Sequence, residues 1–126
     1  MRPPQQPQLQ KLRLNHPKGE AYEQQALIFL QRQGLTLLER NYRSRFGEID
    51  LIMREQNTLV FVEVRYRASS RYGGAIASIT VKKQEKIWLT ASQYLQQRPH
   101  AGACRVDIIA FEGDAPCQWI QNAIQR

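Results

Sequence analysis

Apolar positions recur along this chain with two different periods, and the switches between them mark out its elements. After Lys18, Ala21, Tyr22, Ala26, Phe29 and Leu30 fall on one face at helical spacing, with Leu27 and Ile28 widening it. Gly34 stands where a C-terminal cap belongs, so a helix is predicted over 19–33. Residues 35–42 read as a first strand and 44–47 as a turn. Glu48-Ile49-Asp50-Leu51-Ile52-Met53 alternates polar with apolar and then turns wholly apolar. Glu55-Gln56-Asn57 suits a hairpin loop, and TLVFVEVRY at 58–66, dense in β-branched and aromatic residues, is the firmest strand.

Residues 67–77, with Ser69-Ser70 and Gly73-Gly74, read as a loop able to lie over a site or hold a phosphate. Thr80 is the N-cap of a second helix whose apolar positions Ile87, Ala91, Tyr94 and Leu95 repeat at helical spacing, with Pro99 beyond its end. Lys82, Lys83 and Lys86 crowd the first half of that helix, the wrong end for its dipole. A solvated face tolerates this; a phosphate partner explains it. RVDIIAF at 105–111 is a further strand, and 118–120 a last short one. The order αβββαβ(β) predicts an α/β domain with a central mixed sheet flanked by helices. Residues 1–17, rich in Pro and Gln at their start, are expected to be a flexible tail, and 18–126 a single domain.

Length and charge narrow the partners. A chain of 126 residues, 42% hydrophobic, supports one core. A net charge of +7 and a pI of about 9.9 favour polyanions, nucleic acid ahead of an anionic membrane surface. No apolar run is long enough to cross a bilayer, and the N-terminus lacks the apolar middle of a signal peptide. Cys104 and Cys117 form no Cys-x-x-Cys pair and read as reduced thiols of a cytoplasmic protein. His16 and His100 are far apart, and zinc-ligand spacings are absent.

Chemistry concentrates in the hairpin between Ile52 and Leu59. A loop centred between Gln56 and Asn57 opposes residues whose numbers sum to 113, which sets Asp50 across from Glu63 and Glu48 across from Arg65. Period two then brings all four side chains to one patch. Facing carboxylates beside so apolar a strand repel and are costly to desolvate, and a divalent cation relieves both. Mg²⁺, which takes a few carboxylates and completes its shell with water and phosphate, is the natural choice, with Mn²⁺ as a substitute. The plainer alternative pairs Glu48 with Arg65 and leaves Asp50 and Glu63 to solvent.

The succession GEIDL (47–51), FVEVR (61–65), YGGA (72–75) and RVDIIAF (105–111) resembles the YraN family of uncharacterised bacterial proteins, over about four-fifths of the chain. Through that family it is similar to the PD-(D/E)xK nucleases and to archaeal Holliday junction resolvases. The resemblance implies a restriction-endonuclease-like, three-layer fold. It implies Asp50 and Glu63 as metal-binding acids, with the Val64 carbonyl assisting, and Arg65 in the place of the usual Lys. Glu23 matches the extra helical acid of the resolvase branch. Glu48 is a neighbour in GEIDL, and Gln84 and Lys83 stand where second-helix residues support related sites. Arg in place of Lys keeps a phosphate clamp but removes a group able to release a proton.

Three functions follow. One is a Mg²⁺-dependent endonuclease on structured or branched DNA, in which water attacks in line and leaves a 5′-phosphate, with a homodimer if a two-fold junction is cut. Another is a non-catalytic nucleic-acid-binding module. Its phosphate contacts would come from Arg43, Arg45, Arg65, Arg67 and Arg71 and from Lys82, Lys83 and Lys86 on the helix, with Tyr66 and Tyr72 for stacking. The third is an interaction protein whose acidic patch is a relic.

Overall fold

The computed structural model describes residues 17–125. Helix α1 (Pro17–Arg32) leads into a sheet of β1 (Thr36–Ser44), β2 (Gly47–Glu55), β3 (Thr58–Arg67), β4 (Cys104–Glu112) and β5 (Gln118–Ile120). A single 3₁₀ turn (Arg71–Gly73), a short helix α2 (Gly74–Ala77) and the long helix α3 (Val81–Gln97) connect β3 to β4. The strands lie in chain order, all antiparallel except the parallel pair β3–β4. The predicted tail lies outside the described residues, apart from Pro17 in α1. No helix among the described residues is long and apolar enough to cross a membrane.

Local chemistry accounts for the boundaries. Gly34 takes φ +99, where a Cβ would be strained. It lets Leu35 N–H reach Leu30 O and Gly34 N–H reach Gln31 O, and Leu30 and Leu35 are buried in the same cluster. Thr80 caps α3 as expected, its side chain accepting from Lys83 N–H at 3.1 Å. The predicted loop over 67–77 is partly ordered structure instead. Gly73 and Gly74 both adopt positive φ, and the Glu112 carboxylate accepts from Ala75 N–H at 2.9 Å. A Cβ at Gly74 would collide with that carboxylate. Two consecutive glycines that spacing marks only as a loop therefore start a helical turn.

Each sheet face buries one helix. Ala26, Leu27 and Leu30 of α1 pack with Leu51, Met53, Val60, Val62 and Ile109. Ile87, Ala91 and Tyr94 of α3 pack with Ile52, Phe61, Val106 and Ile108. The result is three layers. Strand β3 is buried on both faces through Val62, which is why its sequence reads as a continuous apolar run. Phe61 is wholly buried and meets Tyr94 edge-on; truncating it to Ala would cost about 3–5 kcal/mol. Asp107, the polar residue inside RVDIIAF, is fully buried too. It accepts from Arg105 Nε, Trp119 Nε1 and Asn122 N–H, each at 2.9 Å, and so ties β4 to β5 and the chain beyond it.

Candidate acidic site

Strands β2 and β3 pair in the expected register, Glu55 with Thr58 through Leu51 with Val62, around a turn in which Gln56 has φ +54. There the ladder stops. The next hydrogen-bonded pair would be Ile49 with Val64. Instead, Val64 N–H donates to Asp50 Oδ2 at 2.8 Å. A side chain has taken the place of a backbone carbonyl, and the two strands part around it. On β1, Asn41 sits in the left-handed region at φ +53, and Asn41 and Asp50 are skipped between the Arg40–Leu51 and Tyr42–Ile49 pairs. The side-chain alternation inverts here: Leu51 belongs to the α1 face, whereas Ile49 joins Tyr42 on the α3 face. Asp50 therefore sits in the opening between strands rather than squarely opposite Glu63.

Into that opening come acids from three elements. Asp50 is in hydrogen-bond contact with Glu23 of α1 and with Glu63 of β3. Burial pushes the Asp50 carboxyl above the usual carboxylate range, against the opposing pull of Val64 N–H. Glu63, only 4% exposed, is pushed up to about 8 by burial first and by the Asp50 charge second, while Lys83 and Arg65 pull it down. Its ion pairs with Arg65 (3.6 Å) and Lys83 (3.8 Å) are long, in keeping with two cations that only partly offset desolvation. Burial thus favours the protonated form of Glu63, in which it can hydrogen-bond to Asp50.

The two cations differ. Arg65 donates from Nε to Ser78 Oγ (3.2 Å) and from Nη2 to Ser78 O (3.0 Å), so its fork is spent on the segment between α2 and α3. The expected Glu48–Arg65 contact is absent. Glu48 faces across to Arg43 on β1 at 3.6 Å, because β2 leaves β3 after Leu51. Lys83 arrives from the first turn of α3 and reaches both Glu63 and the field of Asp50. Gln84 turns away: its amide donates to Ile79 O at 3.4 Å, and it lines a groove of about 320 Å³ with Val81, Trp88 and Ile124, remote from the acids.

Two contributors escape sequence reasoning. Asn41, with its amide nitrogen turned toward them, donates to Glu48 Oε2 and Glu23 Oε1, both at 3.1 Å. Asn tolerates a left-handed backbone and its position opposite Asp50 follows from the β1–β2 register, so that signal was present in part. Ser78 carries none; only the tertiary fold brings it to Arg65.

Several basic side chains gather at the same end. Arg43 touches Glu48, and Lys83 touches Glu63. Gly47, at the foot of the β1–β2 turn, lies against Lys86 and Thr90 of α3. Lys82 shares the Lys86 face of that helix, and Arg45 stands in the turn with its guanidinium 5.0 Å from the Phe46 ring. Arg67, the last residue of β3, and Arg71, in the 3₁₀ turn, are exposed; Arg67 donates to the Tyr66 carbonyl. Tyr66 is stacked on Tyr22 at 4.3 Å, so one of its faces is taken, and the side chain of Tyr72 lies outside the described residues.

Whether a divalent cation fits is a question of donors. Among the described residues, no three His, Cys, Asp or Glu side chains are arranged to enclose an ion. Mg²⁺ needs fewer, since it keeps several waters and accepts substrate oxygens. Asp50 and Glu63 supply hard oxygens whose mutual repulsion an ion would relieve. The Val64 carbonyl points to the same side of β3 as its N–H, past the last ladder pair. That donor set fits Mg²⁺ or Mn²⁺ and offers nothing soft for zinc.

The profile of the uncharacterised protein family UPF0102 matches residues 22–111. Among similar proteins, one from Nitrosomonas eutropha is 56% identical over 109 residues, covering 86% of this chain and 94% of its own. One from Aeromonas hydrophila is 57% identical over 109 residues, covering 84% and 83%. One from Pseudomonas putida is 49% identical over 113 residues, covering 85% and 92%. Each is named only as a UPF0102 protein.

Proposed function

Since the chain belongs to the UPF0102 family, the YraN family its motifs resemble, we propose that it is a metal-dependent endonuclease acting on structured or branched DNA, built on a restriction-endonuclease-like fold. The observation that carries this reading is the broken β2–β3 ladder. Giving up a backbone pair to seat the Asp50 carboxylate between strands, beside a buried Glu63, costs stability, and a phosphodiester-cleaving centre is a use that repays it.

Asp50 and Glu63, with the Val64 carbonyl, would hold Mg²⁺ or Mn²⁺, which when bound polarises the phosphodiester and lowers the pKa of the attacking water. The chain's own residues do the rest. Glu23 and Asn41 hold Asp50 and Glu48 in place from α1 and β1. Lys83 sets a positive charge beside the acids, where it can meet a phosphate oxygen. Arg43, Arg45, Lys82 and Lys86 flank the opening and supply backbone contacts without reading sequence. Arg65, bound to Ser78, steadies Glu63 rather than reaching for substrate. A two-fold junction would call for a homodimer, which presents the site twice.

The engagement of Arg65 also favours a second reading, a nucleic-acid-binding module that does not cleave. One experiment separates the two. Junction, flap, duplex and single-stranded substrates are incubated with the protein in Mg²⁺, Mn²⁺ or EDTA, with Asp50→Asn and Glu63→Gln alongside. Cleavage that needs metal and both acids supports the nuclease. Cleavage that persists in both variants would sink it, and salt-sensitive binding without cleavage selects the module.

A further inference from the structure

Phe46 stands apart from every other described aromatic side chain. Tyr22, Phe29, Tyr66, Phe111 and Trp119 pack with the α1 cluster, and the remainder with the α3 cluster; Phe46 belongs to neither. It sits at the tip of the β1–β2 hairpin, partly exposed, with the Arg45 guanidinium 5.0 Å from its ring centroid. A large apolar ring at a turn needs a reason, since turns favour small and polar residues.

The tip is also held firmly. Phe46 N–H donates to Ser44 Oγ at 3.0 Å. Ser44 Oγ is in turn bonded to Thr90 Oγ1 at 2.9 Å, and Thr90 is fully buried in α3. A partly exposed ring whose backbone is tied to the core through two hydrogen bonds loses less freedom on binding. Beside it, Arg45 in the turn, Arg43 on β1 and Lys86 of α3, which lies against Gly47, offer positive charge.

We propose that Phe46, with Arg45, is a stacking platform for an unpaired nucleobase next to the phosphodiester the acidic site addresses. A base in continuous duplex has both faces covered by its neighbours, whereas an unpaired base at a branch or frayed end offers one to the ring. The chain therefore selects nucleic acid in which a duplex meets single strand, and it does so through an aromatic contact rather than base-edge reading. This rests on the nucleic-acid reading above but not on cleavage.

The test places 2-aminopurine at the branch nucleotide of a flap and measures fluorescence and affinity in EDTA with the full-length protein. Matched continuous duplexes and an RNA version of the flap strand run alongside; the RNA version shows which sugar backbone is accepted. Wild type should quench the probe and bind the flap about tenfold more tightly than the duplex. Phe46→Ala should lose both while keeping its melting temperature; Phe46→Trp should retain both. If Phe46→Ala matches wild type in quenching and preference, the platform is overturned while the nuclease reading stands. If wild type binds no nucleic acid, both are overturned.

Discussion

The Asp50 carboxylate and the Val64 amide meet at 2.8 Å across the point where two strands separate. One carboxyl therefore serves the fold as well as any chemistry. The two uses can be divided by substitution. Asp50→Asn still offers an oxygen to Val64 N–H, whereas Asp50→Ala leaves that donor unpaired at a cost of about 1–3 kcal/mol. Urea unfolding should place Asp50→Asn close to wild type and Asp50→Ala well below it, while both lose metal-dependent cleavage by at least about a hundredfold.

Glu63 gives a pH signature. Its carboxyl is raised from 4.5 to about 8 in the folded protein, so between those values the folded chain binds more protons than the unfolded chain. Stability therefore falls as pH climbs through this window and stays reduced above it. Glu63→Gln has no such proton to lose. Relative to wild type it should gain on the order of 4 kcal/mol between pH 5 and pH 9 in EDTA, read from denaturant midpoints. An unchanged difference across that range would contradict the burial of an acid beside Asp50. Mg²⁺ should raise the wild-type melting temperature more at pH 8 than at pH 6, because the ligand must deprotonate.

Arg65 and Lys83 should part company under mutation. Arg65→Lys cannot reproduce the two-pronged grip on Ser78 and should cost about 1–3 kcal/mol in thermal unfolding. Lys83→Ala, at a part-exposed position, should change stability by less than about 1 kcal/mol yet lower cleavage at least about tenfold. The opposite pattern would return Arg65 to the reacting centre.

Asp107 makes a contrasting case. It is enclosed by Arg105, Trp119 and Asn122. Asp107→Ala leaves Trp119 Nε1 and Asn122 N–H without their acceptor, while Arg105 keeps its 2.9 Å pair with Glu55, and should cost about 2–4 kcal/mol. Metal-dependent activity per folded molecule should stay unchanged when compared at a temperature where the variant remains folded.

Much of the frame was legible because it obeys local rules. The hairpin register follows from one short loop between two apolar runs, and it holds from Glu55–Thr58 to Leu51–Val62. Glu23 and Glu63 meet at Asp50, and of these two contacts only the one across the hairpin follows from strand register. Where the ladder ends was not legible. Period two assumes regular pairing, and the irregularity at Asn41 and Asp50 arises because a side chain outcompetes a carbonyl for one amide. That is why Glu48 meets Arg43 and not Arg65. Gln84 was misplaced because a one-residue step on a helix turns a side chain by about 100°, sending its neighbour Lys83 to the acids and Gln84 to the opposite flank.

The parallel pairing of β3 with β4 bears on the order of assembly. β1, β2 and β3 are joined by tight turns, so their contacts close quickly. β4 reaches β3 only after the chain has travelled through α2 and α3, and contacts so distant in sequence form late. Asp50 and Glu63 therefore become neighbours while water still surrounds them; α1 covers Asp50 with Glu23, and α3 brings Lys83 to Glu63 as it docks. The helix that takes water away from Glu63 delivers a compensating charge in the same step, so the nascent meander never has to carry a buried, unbalanced pair.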